Sequence, residues 1–340
     1  MSELRFDPIK RHWVIIAGQR AKRPSEFQIT IRTQDESECP FCPGHEDETP
    51  ESILTLPGKE GNPWAARLIP NKFPAMDADS HVMEGELAFH EVRAGRGQHE
   101  VMIESASHGG RQSHYSISHF TSILSIYQSR LRLFTSNSCC RYAALFTNVG
   151  YRGGATLSHP HSQIIGLPMI PSVIQSEMDS ATAHLSLHGR CLFCDLIESE
   201  IGARSRLVFM DDDFAVFAPY ASRFAYEFAV YPRSHLADFC ELELSALEAT
   251  AKRLIGMLGL MDSALENPDY NLILHTAPRA EPGIYSETIK KAFHWHFEVI
   301  PRVSTQAGME WGTGIHINSI PPEKAACVLT GMEPYPNRKR

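Results

Sequence analysis

The sequence predicts an α+β protein built from two tandem domains of one type, spanning residues 1–180 and 181–340. Three observations lead there. A long-period repeat runs through nearly the whole chain, each copy strings strand-like segments around one helix-like segment, and each copy opens on a C-x2-C pair. The pairs are Cys39 with Cys42 ("CPFC") and Cys191 with Cys194 ("CLFC"). A unit of about 150 residues is far longer than a solenoid repeat and reads as a duplicated domain.

The elements follow in the same order in both copies. "HEVMIESASH", ending at His108, matches "YEFAVYPRSH", ending at His235, in length, alternation and closing Ser-His. Side chains alternate between the faces of a strand, so both segments read as strands that deliver a histidine at their end. A helical pattern follows: Phe120, Ile123, Leu124, Tyr127, Leu131 and Phe134 in the first copy, Leu244, Leu247, Ala251, Leu254, Ile255 and Leu258 in the second. Spacings of three and four give each helix one apolar stripe. Next come "YAALFTNVG" and "YNLILHTAP", then a polar loop, then "HPHSQIIGLP" and "HWHFEVIP". The join lies in residues 169–190, polar and weakly patterned, and places the boundary near 180.

With 340 residues, 43% of them hydrophobic and 21% charged, the chain is globular and long enough for a sizeable core. A net charge of −8 supplies no global basic field, which argues against nucleic acid as the main partner. It argues equally against a zinc-stabilised nucleic-acid module, which needs basic surface with aromatic platforms. The local cluster "QRAKRP" still suits a small phosphate ligand. The N-terminus "MSELRFDPIKRHW" lacks the apolar core of a signal peptide, and no apolar run is long enough to span a bilayer, so the expectation is a soluble, cytoplasmic protein. In that compartment C-x2-C pairs favour metal over disulfides. The other four cysteines, Cys139, Cys140, Cys240 and Cys327, show no ligand spacing and read as buried small apolar residues.

Each copy holds the same four candidate metal ligands: Cys39, Cys42, His108 and His159 in the first, Cys191, Cys194, His235 and His294 in the second. Two thiolates and two imidazoles make a tetrahedral zinc set, and protein at all four positions means a structural metal. Two such sites are expected. The gap from cysteines to histidines is far longer than in a zinc finger, so each metal would clip distant strands together.

If "HPHSQIIG" is extended, His159, His161 and Gln163 share one face and Ser162 and Ile164 the other. An isolated His-x-His is often an ordinary polar strand face. Here His159 is committed to metal, which leaves His161 free for chemistry. A neutral imidazole attacks without a separate base when its Nδ1–H is held by an acceptor and Nε2 points outward. Gln163 supplies amide donors for an oxygen gaining negative charge, and Gly153 and Gly154 allow close approach to a phosphate. Together these parts suggest phosphorus chemistry through a covalent histidine. The second copy has His294, His296 and Glu298; a carboxylate only accepts hydrogen bonds and repels phosphate oxygens. The chemistry is therefore assigned to the first copy, and the second is a scaffold or metal site.

The His159-Pro-His161-Ser-Gln163 motif, the tandem halves and "CPFC" resemble the galactose-1-phosphate uridylyltransferase branch of the histidine-triad superfamily, from "HWVIIAGQRAKRP" to "GMEWGTG". The resemblance implies two histidine-triad-like domains, each an antiparallel sheet with packed helices, and a homodimer. It implies ping-pong transfer in which His161 takes UMP from UDP-glucose, releases glucose 1-phosphate and passes UMP to galactose 1-phosphate. It also implies that a backbone carbonyl orients His161, that Gln163 holds the α-phosphoryl oxygens, and that Arg20, Arg23, Asn71, Phe73, Asn148, Gly154, Thr156 and Glu310 contact the nucleotide sugar. Taken singly these have ordinary readings too: Arg20 and Arg23 a solvated run, Asn71 a turn residue, Phe73 core.

Two departures stand out. Ser162 replaces the glycine of the familiar uridylyltransferases and occurs in a plant nucleotide-sugar phosphorylase of the superfamily that prefers ADP-glucose. Some uridylyltransferases also hold a second metal through a set equivalent to Glu177, His275, His294 and His296, which competes with the Cys191 set for His294. The soft C-x2-C pair favours the cysteine set. UDP-glucose is the expected donor, and an ADP-sugar or dinucleoside-polyphosphate phosphorylase using the same histidine is the alternative.

Overall fold

The computed structural model describes residues 2–19, 36–58, 61–80, 85–87, 89–137, 139–279, 281 and 286–332. Arg20 and Arg23 lie outside them. The small elements at the N-terminus are strands β1 (Glu3–Phe6) and β2 (Trp13–Ile16). The first half then contributes β3 (Leu54–Pro57), β4 (Trp64–Pro70), a short hairpin β5 (Gly85–Leu87) and β6 (His90–Val92), β7 (Gln98–Ile103), helix α1 (Ile117–Ser136), β8 (Tyr142–Val149) and β9 (His161–Leu167). Helices α2 (Ser172–His188) and α3 (Leu192–Ala203) lead into the second half. There follow β10 (Leu207–Met210), β11 (Phe214–Phe217), β12 (Phe228–Pro232), α4 (Leu244–Leu265), β13 (Tyr270–His275), α5 (Glu287–Ala292) and β14 (His296–Pro301). The chain closes with α6 (Gly308–Thr313), β15 (His316–Asn318) and α7 (Pro322–Thr330).

The protein is α+β, and its main sheet is antiparallel throughout. Ten strands run in the order β3-β4-β7-β9-β8-β13-β14-β12-β11-β10, so each half supplies five in mirrored sequence and the halves meet where β8 pairs with β13. The two expected sheets are thus joined edge to edge. Pairing β8 with β13 covers two edges that would otherwise expose unpaired backbone groups. The core crosses the seam as well: Phe120, Ile123, Leu131 and Phe134 of α1 share one cluster with Leu247, Leu254 and Leu258 of α4, above Leu145, Ile164, Leu272 and Val299 of the sheet. Helices α1 and α4 form where their apolar stripes predict, although Leu244 of the α4 stripe is 67% exposed. The α1 stripe is buried as its spacing requires, and the Ser116 side chain caps the helix by accepting from the His119 N–H.

The segment around residue 180 is α2, which ends at Gly189 in the left-handed conformation. Its buried stripe includes Glu177, Ser180 and Ala181 beside Ile174, so a helix that packs through small and polar residues shows little amphipathic contrast. It covers the other sheet face with α3 and α5, where Ala181, Phe193 and Ile197 pack on Phe217, Ala229 and Tyr231. A separate sheet of β1, β2 and β15 ties the chain's two ends together. Of the four cysteines read as core, Cys140 and Cys240 are buried, while Cys139 is exposed and Cys327 half-buried. No helix among the described residues is long and apolar enough to cross a membrane.

Candidate active site

Strand β9 divides its residues as the alternation requires. Ser162 and Ile164 face the helical core, and His161 and Gln163 face a cavity of about 580 Å3 whose walls include Phe41, Asn71, Phe73, His99, Gly154 and Thr156. His161 donates its Nδ1–H to the His159 carbonyl at 2.8 Å. A carbonyl only accepts, so the proton sits on Nδ1 and the Nε2 lone pair is left over. Burial draws the His161 pKa below its ordinary value, which keeps the ring neutral. Phe41, inside the "CPFC" motif, lies edge-on to His161 at 5.4 Å and to His159 at 6.1 Å. Phe41 thereby forms one wall against the imidazole.

Gln163 is held by a residue that the sequence reading did not single out. His99 Nε2 stands 2.8 Å from Gln163 Oε1, while His99 Nδ1 accepts the Ala75 backbone N–H at 3.0 Å. Asn71 closes the same corner, its Oδ1 accepting from the Phe73 N–H at 2.8 Å and its Nδ2 lying 3.1 Å from His99 Nε2. Asn71 is therefore both a turn residue and a cavity wall. Phe73 is 82% exposed, which replaces the core reading with a free aromatic face at the cavity mouth. The signal that could have found His99 is register: β7 pairs with β9, so His99, Val101 and Ile103 share the face of His161 and Gln163.

Ser162 points the other way. It is fully buried, donates to Glu104, and meets Tyr127 and Thr147 hydroxyls at 2.7 Å each. Gln112 Nε2 and the Tyr127 hydroxyl also donate to Glu104, at 2.9 and 2.7 Å. The buried carboxylate is satisfied by neutral donors, and Ser162 serves this scaffold without reaching a ligand in the cavity. Behind β8, the loop carries Gly153 and Gly154. A Cβ at Gly153 would meet the Val149 carbonyl oxygen at 2.4 Å, and Gly154 has φ +87, so both positions require glycine.

The eight expected metal ligands fall into two clusters, Cys39, Cys42, His108, His159 and Cys191, Cys194, His235, His294, with each set's ligand atoms within 4.8 Å of one another. Every one of the four histidines turns Nδ1 inward. In three of them Nε2–H is held by a backbone carbonyl: His159 by Ser105 at 2.7 Å, His235 by Lys290 at 2.8 Å and His294 by Pro232 at 2.9 Å. His108 Nε2 meets the Ser158 hydroxyl at 3.0 Å. Such outer partners select the tautomer a metal needs. Burial pulls the His159 pKa to about 4, and burial with the adjacent Cys39 pushes the Cys42 thiol up to about 12. Two thiolates so close together need a cation, and this donor set suits a soft divalent one.

The rival ligand set is also gathered, with a change of member: Glu177, His275 and His296 cluster with Glu298 in the second half, while His294 stays with the cysteines. Glu298 replaces Gln163 and is buried against Lys10 and Arg223, the latter at 2.9 Å. Burial alone would raise its pKa, but these two cations hold the carboxyl well below the usual range. His296 repeats the His161 arrangement, its Nδ1 3.0 Å from the His294 carbonyl. Its face of the sheet is closed by side chains, among them Phe193 and Tyr231 with ring centroids 5.6 and 4.7 Å away.

Not every expected contact reaches the cavity. Asn148 shares the Gln163 face of the sheet but engages Asn271, whose Nδ2 donates to its Oδ1 at 2.8 Å. Glu310 lies outside the cavity walls, and its carboxylate caps α6 by accepting the Ala307 N–H at 2.9 Å.

A duplicated antiparallel sheet with a His-x-His segment beside a cysteine pair in each half defines a tandem protein of the histidine-triad type. The chain matches the family "Galactose-1-phosphate uridyl transferase, N-terminal domain" over residues 1–171, and a domain of unknown function, DUF4921, over residues 97–333. It belongs to the galactose-1-phosphate uridyl transferase family, whose members are nucleotidyltransferases. ADP-glucose phosphorylase of Arabidopsis thaliana is 31% identical over 96% of this chain and 92% of its own length. Galactose-1-phosphate uridylyltransferase of Thermotoga maritima is 26% identical over 98% and 99%. The crystal structure of the Arabidopsis phosphorylase with bound ADP-glucose superposes with a TM-score of 0.82 at 28% identity, covering 98% of this chain and 100% of that one.

Proposed function

We propose that the chain is a nucleotide-sugar phosphorylase that passes AMP from ADP-glucose to inorganic phosphate through His161. The observation that carries it is the His161 imidazole, its Nδ1–H tied to the His159 carbonyl at the wall of an open cavity. In the first transfer Nε2 attacks the α-phosphorus, an N–P bond forms, and the P–O bond to glucose 1-phosphate breaks. Phosphate then attacks the same phosphorus, the N–P bond breaks, and ADP leaves. Glucose 1-phosphate leaves as an anion in the first step and His161 as a neutral imidazole in the second, so neither step needs a proton donor. Gln163 supplies amide hydrogens to the phosphoryl oxygens, and Phe73 offers a face for the base. Residues 1–180 carry this chemistry, and residues 181–340 buttress it through the shared sheet.

ADP-glucose ranks above UDP-glucose because the relative at 31% identity is an ADP-glucose phosphorylase and because the Cys191 set is assembled. This reverses the order expected from the overall resemblance to uridylyltransferases. Uridylyl transfer to a hexose 1-phosphate is the second reading, supported by the family match and the uridylyltransferase relatives. A pocket that hydrogen-bonds a base edge rejects the wrong base strongly. The kcat/KM for ADP-glucose is therefore expected to exceed that for UDP-glucose by at least about tenfold, the ~1.4 kcal/mol of one good polar contact. Steady-state rates with each donor, against phosphate and against galactose 1-phosphate, decide it. Faster turnover of UDP-glucose with the sugar phosphate promotes the second reading.

Both Cys2His2 clusters hold zinc in this proposal, as structural clips that leave no open coordination position. Metal analysis of the purified protein is expected to give about two equivalents, and Cys39→Ser to lose one of them and melt several degrees lower. Loss of one equivalent on Cys39→Ser with none on Cys191→Ser would remove the second site.

A further inference from the structure

His99 stands outside the motif, yet its hydrogen bonds decide which way the Gln163 amide faces. The two ends of a glutamine amide have the same shape, so Gln163 presents either an oxygen or an NH2 to the cavity unless something selects between them. The Ala75 backbone N–H can only donate, and it points at His99 Nδ1 from 3.0 Å. Nδ1 is therefore the acceptor nitrogen, and a neutral imidazole must then carry its proton on Nε2. That proton faces Gln163 Oε1 at 2.8 Å. Asn71 Nδ2 is 3.1 Å from the same ring nitrogen, but it does not alter the assignment. An Nε2 accepting from Asn71 would leave both ring nitrogens as acceptors, a state neutral imidazole does not have.

We infer that His99 is a positioning residue, which hands the fixed direction of the Ala75 amide through its ring to Gln163 and so aims the Gln163 NH2 at the phosphoryl group. Among the described residues the Gln163 amide nitrogen meets no protein acceptor, so that donor is left for a ligand. A flipped amide would turn its oxygen toward phosphoryl oxygens and repel them. The role rests on the phosphoryl-binding part given to Gln163 above, and it acts on the transition state more than on the ground state, where less charge has built up.

The test is a mutant cycle read as kcat and KM with the better of the two nucleotide-sugar donors. His99→Phe keeps the ring volume and removes the donor; kcat is expected to fall about tenfold or more with KM changed less than threefold. His99→Gln places an NH2 near the Nε2 position and should recover most of the rate, whereas His99→Asn, which matches Nδ1, should not. In the Gln163→Ala background His99→Phe should have no further effect. If His99→Phe does not fold, as judged by its thermal melt, the contrast between His99→Gln and His99→Asn carries the same comparison. A full additional loss from His99→Phe on Gln163→Ala, a defect in KM alone, or equal rates for His99→Gln and His99→Asn overturns the role of His99 while leaving Gln163 in place. An unimpaired kcat in Gln163→Ala alone removes both.

Discussion

His161→Asn is expected to lower turnover by at least about 10⁴-fold while leaving fold and metal content unchanged. Asparagine is the informative replacement because its side-chain NH2 falls near the position of Nδ1 and can still donate to the His159 carbonyl, which accepts at 2.8 Å in the native arrangement. What it lacks is the Nε2 lone pair. Only the bond to phosphorus is removed, so rapid-quench experiments with labelled donor should show no protein-bound nucleotide, and the melting temperature should hold. A carefully purified variant that keeps even a few per cent of turnover would place the nucleophile elsewhere.

Gln163→Ala is the second large effect expected, a fall in kcat on the order of 10² with a smaller change in KM. The argument is one of timing. The phosphoryl oxygens carry most charge when five oxygens and nitrogens crowd the phosphorus, and a donor held in place beforehand needs no reorganisation at that moment. Because Gln163 is braced by His99 from behind, at 2.8 Å, its amide is such a donor. Paired measurements of kcat and KM separate the cases: a change confined to KM would reduce Gln163 to a substrate-binding residue.

Much of this site was legible in the chain because it is built on repetition and alternation. The recurrence of the cysteine pairs with two later histidines picked out candidate ligand atoms that lie within 4.8 Å of one another in each half. Period-two alternation placed His161 and Gln163 on one face and Ser162 on the other, as the pairing of β9 with β7 and β8 requires. What stayed hidden depends on which strands become neighbours. His99 and Glu104 lie in a segment whose pattern reveals a strand but not its partner, so their contacts with Gln163 and Ser162 emerge only from register. The joining of the two sheets at β8 and β13 is hidden for the same reason. Helix α2 escaped because its buried face is small and polar, a surface that hydrophobic periodicity does not report.

The filled counterpart of the candidate site constrains which residues the second half can carry. Glu298 sits where the first half has Gln163, and it is the shared carboxylate of two buried cations, Lys10 and Arg223. Changing Glu298 to glutamine would restore the motif of the first half but leave Lys10 buried without its carboxylate, while Arg223 keeps Glu227 at 3.1 Å, at a cost of about 3–5 kcal/mol by analogy with other broken buried pairs. A typical domain has only about 5–15 kcal/mol in hand. A glutamine at this position therefore demands a compensating change at Lys10 as well, so the second half is held to its closed, charge-paired form by its own interior.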